Sequence, residues 1–380
     1  MKKFPQNLKQ KLDERIQNQA LRTLGLSGSD QVDFSSNDYL GFSKSTDLFQ
    51  QTHTFLQAEG FTTNGATGSR LLSGNHPLYE RTEKVLADFH DTESALIFNS
   101  GYDANVGFFS SVPQRGDVIL FDELCHASMR DGIRLSHAKS YKFAHNDYED
   151  LEKQLNIYTE NANVYIATES VFSMDGDAPN LEMLTQLAQK HNAYLVLDEA
   201  HALGVFGEKG QGLAQSQSVH HQVFARIVTF GKGLGCHGAA VLGSSELKDY
   251  LVNFARSFIY TTGLSPHSVA SVLIAYEHLA TQPQALAELQ QNIVFFNQYK
   301  MQLGLKPMFV YSKSAIQCAI ITGNQKVKSI AAQLQKKGFD VKPILSPTVP
   351  EGQERLRICL HNFNSQEQIR ALLDQILQAL

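Results

Sequence analysis

Cysteine is scarce in this chain of 380 residues: Cys125, Cys236, Cys318 and Cys359 are its four, and no two form a Cys-x-x-Cys pair. That spacing argues against a disulfide framework and against a zinc site built on paired thiolates. His220 and His221 are adjacent, but no further ligand stands at metal spacing around them, so no metal is expected. No apolar run approaches the ~20 residues of a membrane span. The N-terminal stretch, MKKFPQNLKQKLDERIQNQ, lacks the apolar region of an export signal and reads as an amphipathic helix. A soluble, cytoplasmic protein is the expectation. A concentration of one charge is missing too: 33 basic against 38 acidic residues give a net −5 with no block of like sign. Non-specific nucleic-acid binding needs a basic face that displaces counterions, so neither nucleic acid nor membrane is an expected partner. There is no repeat, low-complexity segment or long flexible linker.

What is present is an ordinary globular composition, 42% hydrophobic and 19% charged, over a length that one core rarely fills. Two lobes are expected. From about residue 78, helical and strand patterns alternate. The helix LYERTEKVLADFH precedes the strand SALIFN and a helix led by glycine near Tyr102. Strands follow at DVILFD, SYKFAH, NVYIATES, AYLVLDEA, ARIVTFG and AAVLG, with helices at DYEDLEKQLNI and LEMLTQLAQKHN between some of them. Several of these strands are almost wholly apolar, as befits a sheet covered on both faces. The pattern predicts an α/β fold with a doubly wound, mostly parallel sheet. Three helical segments come next, ELKDYLVNFARSF, HSVASVLIAYEHLA and ALAELQQNIVFFNQYKMQLG. The C-terminal stretch (SAIQCAIIT, KVKSIAAQLQKKGF, DVKPIL, RLRICL, QEQIRALLDQILQAL) fits a smaller α+β lobe. The expected division is 1–45 as a segment joining the small lobe, 46–280 as the large domain and 281–380 as the small one.

Two motifs mislead. Gly233 to Gly238 matches G-x-G-x-x-G, but the dinucleotide fingerprint must open a helix, and AAVLG after it reads as a strand. Asp198-Glu199-Ala200-His201 spells a helicase box, yet the chain has no phosphate-cradling G-x-x-x-x-G-K-[ST], since Lys232 is followed by glycine.

The same residues suit another chemistry. Asp198 closes an apolar strand and so faces the crevice where such sheets bind ligands. Lys232 follows another strand within a run of glycines, where a ligand can approach closely. Pyridoxal phosphate needs a lysine for a Schiff base and an acid facing its ring nitrogen. It also needs a phosphate cradle, which Ser100-Gly101-Tyr102 at a helix start can offer. Alone, a strand-end Asp reads as a cap and a loop Lys as a solvated charge; the ordered set carries the chemistry.

From about Arg22 to the C-terminus the chain resembles the α-oxoamine synthases, a branch of the fold-type I, aminotransferase-like pyridoxal-phosphate enzymes. The matching motifs occur in order: FSSNDYLGF (34–42), GATGSRLLSGNHPLYE (65–80), FDELCHASMRDG (121–132), TESVFSMDGDAP (168–179), DEAHALGVFGEKGQG (198–212), VTFGKGLGCHGAAVLGSS (228–245), FIYTTGLSP (258–266) and PTVPEGQERLRICL (347–360). The resemblance implies an acyltransferase with pyridoxal 5'-phosphate on Lys232, Asp198 against the ring nitrogen, and His201 and Ser173 at the ring hydroxyl. It places His126 on the ring face; from the residues alone His126 reads as a cap of the helix starting at Ala127. Gly101, Tyr102 and Thr229 would hold the phosphate, with Thr261 and Thr262 reaching it from the second subunit of a homodimer. Arg357, with Asn37, would clamp the amino acid carboxylate.

Within the family, FSSNDYLG, VTFGKGLGCHGAAVLGSS and PTVPEGQERLR are most similar to members that join L-alanine to a pimeloyl thioester, on coenzyme A or a carrier protein. Relatives use glycine, or serine with a long acyl chain. Many pimeloyl-using members have arginine directly before PTVP, where this chain has Ser346; Arg22 could serve the distal carboxylate instead. A reading from another class, a non-catalytic homologue, is countered by the joint presence of Lys232, Asp198, His201 and Arg357.

Overall fold

The computed structural model describes residues 4–18, 20–22, 24, 30–158 and 162–380. The first strand, β1, is only Val32–Asp33. Seven follow: β2 (Ser94–Phe98), β3 (Val118–Asp122), β4 (Lys139–Phe143), β5 (Val164–Glu169), β6 (Tyr194–Asp198), β7 (Ala225–Thr229) and β8 (Ala239–Gly243). The last are β9 (Ile316–Ile320), β10 (Phe339–Asp340), β11 (Lys342–Ile344) and β12 (Arg355–Cys359).

The chain divides into two units, a larger one of 37–173 with 178–289, and a smaller one of 1–36, 174–177 and 290–380. In the larger, a seven-stranded sheet runs β2-β8-β7-β6-β5-β3-β4. All pairings are parallel except those of β8, which is antiparallel to both β2 and β7. Every residue of β2, β5 and β7 is buried, which is why these strands read as unbroken apolar runs. Edge strand β4 instead exposes Lys139, Ser140, Tyr141 and Lys142. Phe108, Phe109, Met129, Ile119, Val196 and Ile227 pack in one core between the sheet and its helices.

Two helical details differ from the sequence expectation. The helix expected over 246–258 is two, Ser245–Phe254 and Arg256–Ile259, because Ala255 between them is extended (φ −75, ψ 103). The break packs the second piece on helix Gly101–Ser111, where Ser257 Oγ donates to the Asp103 carbonyl at 2.6 Å. A further helix, Thr46–Ala58, is capped by Ser45 and buries only Leu48, Thr52 and Leu56, a stripe too narrow to stand out as a period.

In the smaller unit β11-β12-β9 form an antiparallel sheet, and β1 pairs in parallel with β10. Helices Asn324–Lys336 and Gln366–Ala379 accompany them, the latter begun by a reciprocal Ser365–Gln368 capping box. Among the described residues no helix is long and apolar enough to cross a membrane.

Candidate active site

Strands β2, β5, β6 and β7 run in one direction, and a cavity of about 280 Å³ opens at their carboxyl ends. Glu169 and Asp198 are register partners at the ends of β5 and β6, and Thr229 ends β7. Beyond β2, Ser100 caps helix Gly101–Ser111, its Oγ accepting the Asp103 N–H at 3.0 Å. The first N–H groups of such a helix have no intrahelical partner, so Gly101 and Tyr102 present donors at its positive end. Gly101 is required there: a Cβ would stand 2.4 Å from Thr229 Cγ2.

Asp198 is buried and both its oxygens are held. Oδ1 accepts the Ala200 N–H at 2.9 Å, and Oδ2 accepts from Asn105 Nδ2 at 2.7 Å. Lys232 Nζ lies 2.8 Å from His201 Nε2, whose Nδ1 is 2.7 Å from the hydroxyl of the fully buried Tyr39. That hydroxyl also reaches Asn37 Oδ1 at 3.3 Å. Two proton arrangements satisfy this chain. Either Tyr39 donates to Asn37 and His201 donates to Tyr39, or Tyr39 donates to His201 and His201 donates to the amine.

His126 is the helix cap that the residues alone suggest, and it also stands at the cavity. At the start of helix Ala127–Leu135 its Nδ1 accepts the Ser128 N–H at 3.2 Å. Burial lowers its pKa, Asp198 opposing and Lys232 reinforcing the shift, so the ring is neutral near pH 7. Its backbone N–H donates to Glu169 Oε1 at 2.6 Å. Burial, then the neighbouring Asp198 carboxylate, raises the Glu169 pKa to about 8.

The cavity thus gathers Lys232, Asp198, His201, His126, Gly101, Tyr102, Thr229 and Asn37. It also brings in Asn105, Ser128, Glu169 and His237, which sequence reasoning passes over. Glu169 carries the same signal as Asp198, an acid closing an apolar strand; Asn105 stands one turn beyond Gly101. Three expected residues of the larger unit lie off its lining. Ser173 is half-buried beyond β5, where Ser170 extends the pairing with β6 through its N–H to the Asp198 carbonyl. Thr261 and Thr262 meet Asn99, whose Nδ2 donates to Thr261 Oγ1 at 3.1 Å and to the Thr262 carbonyl at 2.6 Å. Arg357 and Arg22 belong to the smaller unit. Arg357 is buried on β12, flanked in register by Lys342 and Cys318, and donates to Cys359 Sγ at 3.0 Å. Arg22 is exposed, and its Nη2 donates to Thr348 Oγ1 at 3.3 Å.

The sequence model for aminotransferase class I and II matches residues 29–376. An 8-amino-7-oxononanoate synthase from Emericella nidulans is 40% identical, across 97% of this chain and 94% of its own. Among solved structures, serine palmitoyltransferase from S. paucimobilis with a bound PLP–myriocin aldimine superposes with TM-score 0.88 at 25% identity, covering 98% of this chain and 96% of that one. An 8-amino-7-oxononanoate synthase from Francisella tularensis gives 0.77 at 29% identity, covering 92% and 98%. The chain belongs to the α-oxoamine synthase family, a set of pyridoxal-phosphate enzymes on the class I and II aminotransferase fold.

The donor set fits that cofactor. A helix N-terminus brought against Thr229 by a glycine suits a phosphate. Asp198 Oδ2, with the buried and unpartnered Asn105 Oδ1 beside it in the lining, suits a protonated ring nitrogen. Lys232 in the lining has an amine of the kind the aldehyde needs, and a neutral imidazole such as His126 can lie against a flat ring.

Proposed function

We propose that this chain joins L-alanine to a pimeloyl thioester, releasing carbon dioxide and the thiol and forming 8-amino-7-oxononanoate for biotin biosynthesis. The observation that carries the chemistry is Lys232 Nζ held 2.8 Å from His201 in a cavity shared with the doubly hydrogen-bonded Asp198. Similarity to synthases of this product over nearly the whole chain supports the substrates.

When bound, pyridoxal phosphate supplies an electron sink for the pair left at the amino acid Cα. Asp198 keeps the ring nitrogen protonated, which deepens that sink. With the cofactor bound, His126 would lie against the ring and His201 would address the ring hydroxyl, joined by Ser173 from just outside the lining. Gly101, Tyr102 and Thr229 hold the phosphate, with Thr261 and Thr262 of a second copy of the chain. Lys232 Nζ takes the Cα proton, for which it must be neutral, and as the ammonium later returns one. His201 Nε2, 2.8 Å away, can accept the surplus proton, the resulting imidazolium donating its Nδ1–H to Tyr39. Arg357, aided by Asn37, holds the amino acid carboxylate, since a guanidinium fork matches that group's two oxygens.

Arg22 supports the pimeloyl reading. Its guanidinium meets Thr348, two residues past Ser346, and can address a distal carboxylate there. Thiol release by cofactor-loaded protein tests the proposal, using pimeloyl-coenzyme A with L-alanine or glycine against acetyl- and succinyl-coenzyme A. Release that requires both L-alanine and the pimeloyl donor is expected. Release with another pair instead would move the substrate within the family; none with any pair would favour a non-catalytic homologue.

A further inference from the structure

At the amino ends of β2 and β7, across the sheet from the cavity just described, the fold assembles a second set of donors. Asp91 lies in the turn between helix Pro77–Phe89 and β2. His220 and His221 form the short 3₁₀ turn that precedes β7. The two segments meet beside a cleft of about 630 Å³ whose lining includes all three residues. We propose that Asp91, His220 and His221 bind a divalent transition ion of the zinc type, which clips these turns together.

The geometry is that of ligands to one ion. Asp91 Oδ2 lies 3.1 Å from His220 Nε2 and 3.0 Å from His221 Nε2. Atoms bound at about 2.0–2.2 Å to a common ion stand roughly 2.9 Å apart at a right angle and about 3.4 Å apart at the tetrahedral angle. The three donor atoms all fall within 4.8 Å of one another. An ion could therefore enter with small side-chain rotations, leaving its other positions to water. Two imidazoles and one carboxylate favour zinc, nickel or copper over magnesium or calcium, which seek oxygen.

Sequence spacing cannot reveal this site, because the third ligand lies 129 positions before His220. His220 Nδ1 is buried without a partner, so no second group supports the ligating ring. Such supporting groups change metal affinity about 10–100-fold, and the ion is expected to be removable by a chelator. The position, remote from the strand ends that carry the chemistry, makes the role one of stability.

The test is calorimetric titration of Zn²⁺ into tag-free, cofactor-loaded protein, with Mg²⁺ as control, beside thermal unfolding with and without Zn²⁺. Wild type is expected to bind one equivalent of Zn²⁺ reversibly, to ignore Mg²⁺ and to unfold at a higher temperature when loaded. His221→Ala and Asp91→Asn should lose both effects. Both positions are 67% exposed, so these variants should fold and keep wild-type turnover without metal. Binding unchanged in both variants would place the ion elsewhere, and no saturable binding by wild type would leave the cluster a simple ion pair. Either result overturns the proposal.

Discussion

Glu169 shows how one buried side chain couples this site to pH. A carboxyl group whose pKa rises from 4.5 unfolded to about 8 folded keeps its proton in the native state where the unfolded chain has lost it. Its contribution to stability is complete below about pH 4.5 and disappears as pH rises through about 8. Burial is the largest cause, Asp198 on the next strand the second, with Lys232 and the His126 N–H opposing. Cofactor-free wild type should therefore lose stability to denaturant between about pH 4.5 and about pH 8, and Glu169→Gln, which keeps a neutral hydrogen-bonding group, should flatten that decline. Equal slopes in the two proteins would mean that Glu169 is already ionised at neutral pH. The Lys232–His201–Tyr39 chain works at the same scale: across 2.8 Å His201 Nε2 can take a proton from the amine, and across 2.7 Å the imidazolium so formed donates its Nδ1–H to Tyr39.

Among elements, helix Gly101–Ser111 does the most to build the cavity. Its first turn faces the end of β7, and Asn105, one turn on, fixes Asp198. Gly101→Ala would drive a methyl group into Thr229, and overpacking of this kind costs about 1–3 kcal/mol. The expected outcome is weaker cofactor binding, seen as a higher dissociation constant in absorbance titration, with a smaller loss in the thermal midpoint of the cofactor-free protein. A dissociation constant like that of wild type would take Gly101 out of the cradle. Elements of this sort are legible from sequence because fully buried strands must be apolar throughout, so the polar residue that ends one stands out. Asp198 is found in this way, and Glu169 obeys the same rule, whereas Thr229 is reached only through the family motif. Tyr39 is not, since an aromatic residue in a loop takes its meaning from His201, 162 positions away. Helix Thr46–Ala58 escapes for a different reason: three buried positions set no strong period.

For the whole molecule, the question is whether one chain suffices for one site. Thr261 and Thr262 are tied to Asn99 and stand off their own chain's cavity lining, while family motifs assign them to a phosphate. In the symmetric dimer proposed above, each cavity would take Lys232 from one copy and Thr262 from the other. Thr262→Glu would set a negative charge against the phosphate and should impair cofactor binding, while Lys232→Ala should remove the absorbance of the lysine-bound cofactor and essentially all turnover. Co-expressed, the two impaired chains form mixed dimers in which one cavity collects both defects and the other neither. Activity should then reappear in the mixture, with cofactor affinity like that of wild type. Were both residues to serve a site within the same chain, every cavity in the mixed dimer would carry one defect, and the mixture would be no more active than the Thr262→Glu protein it contains.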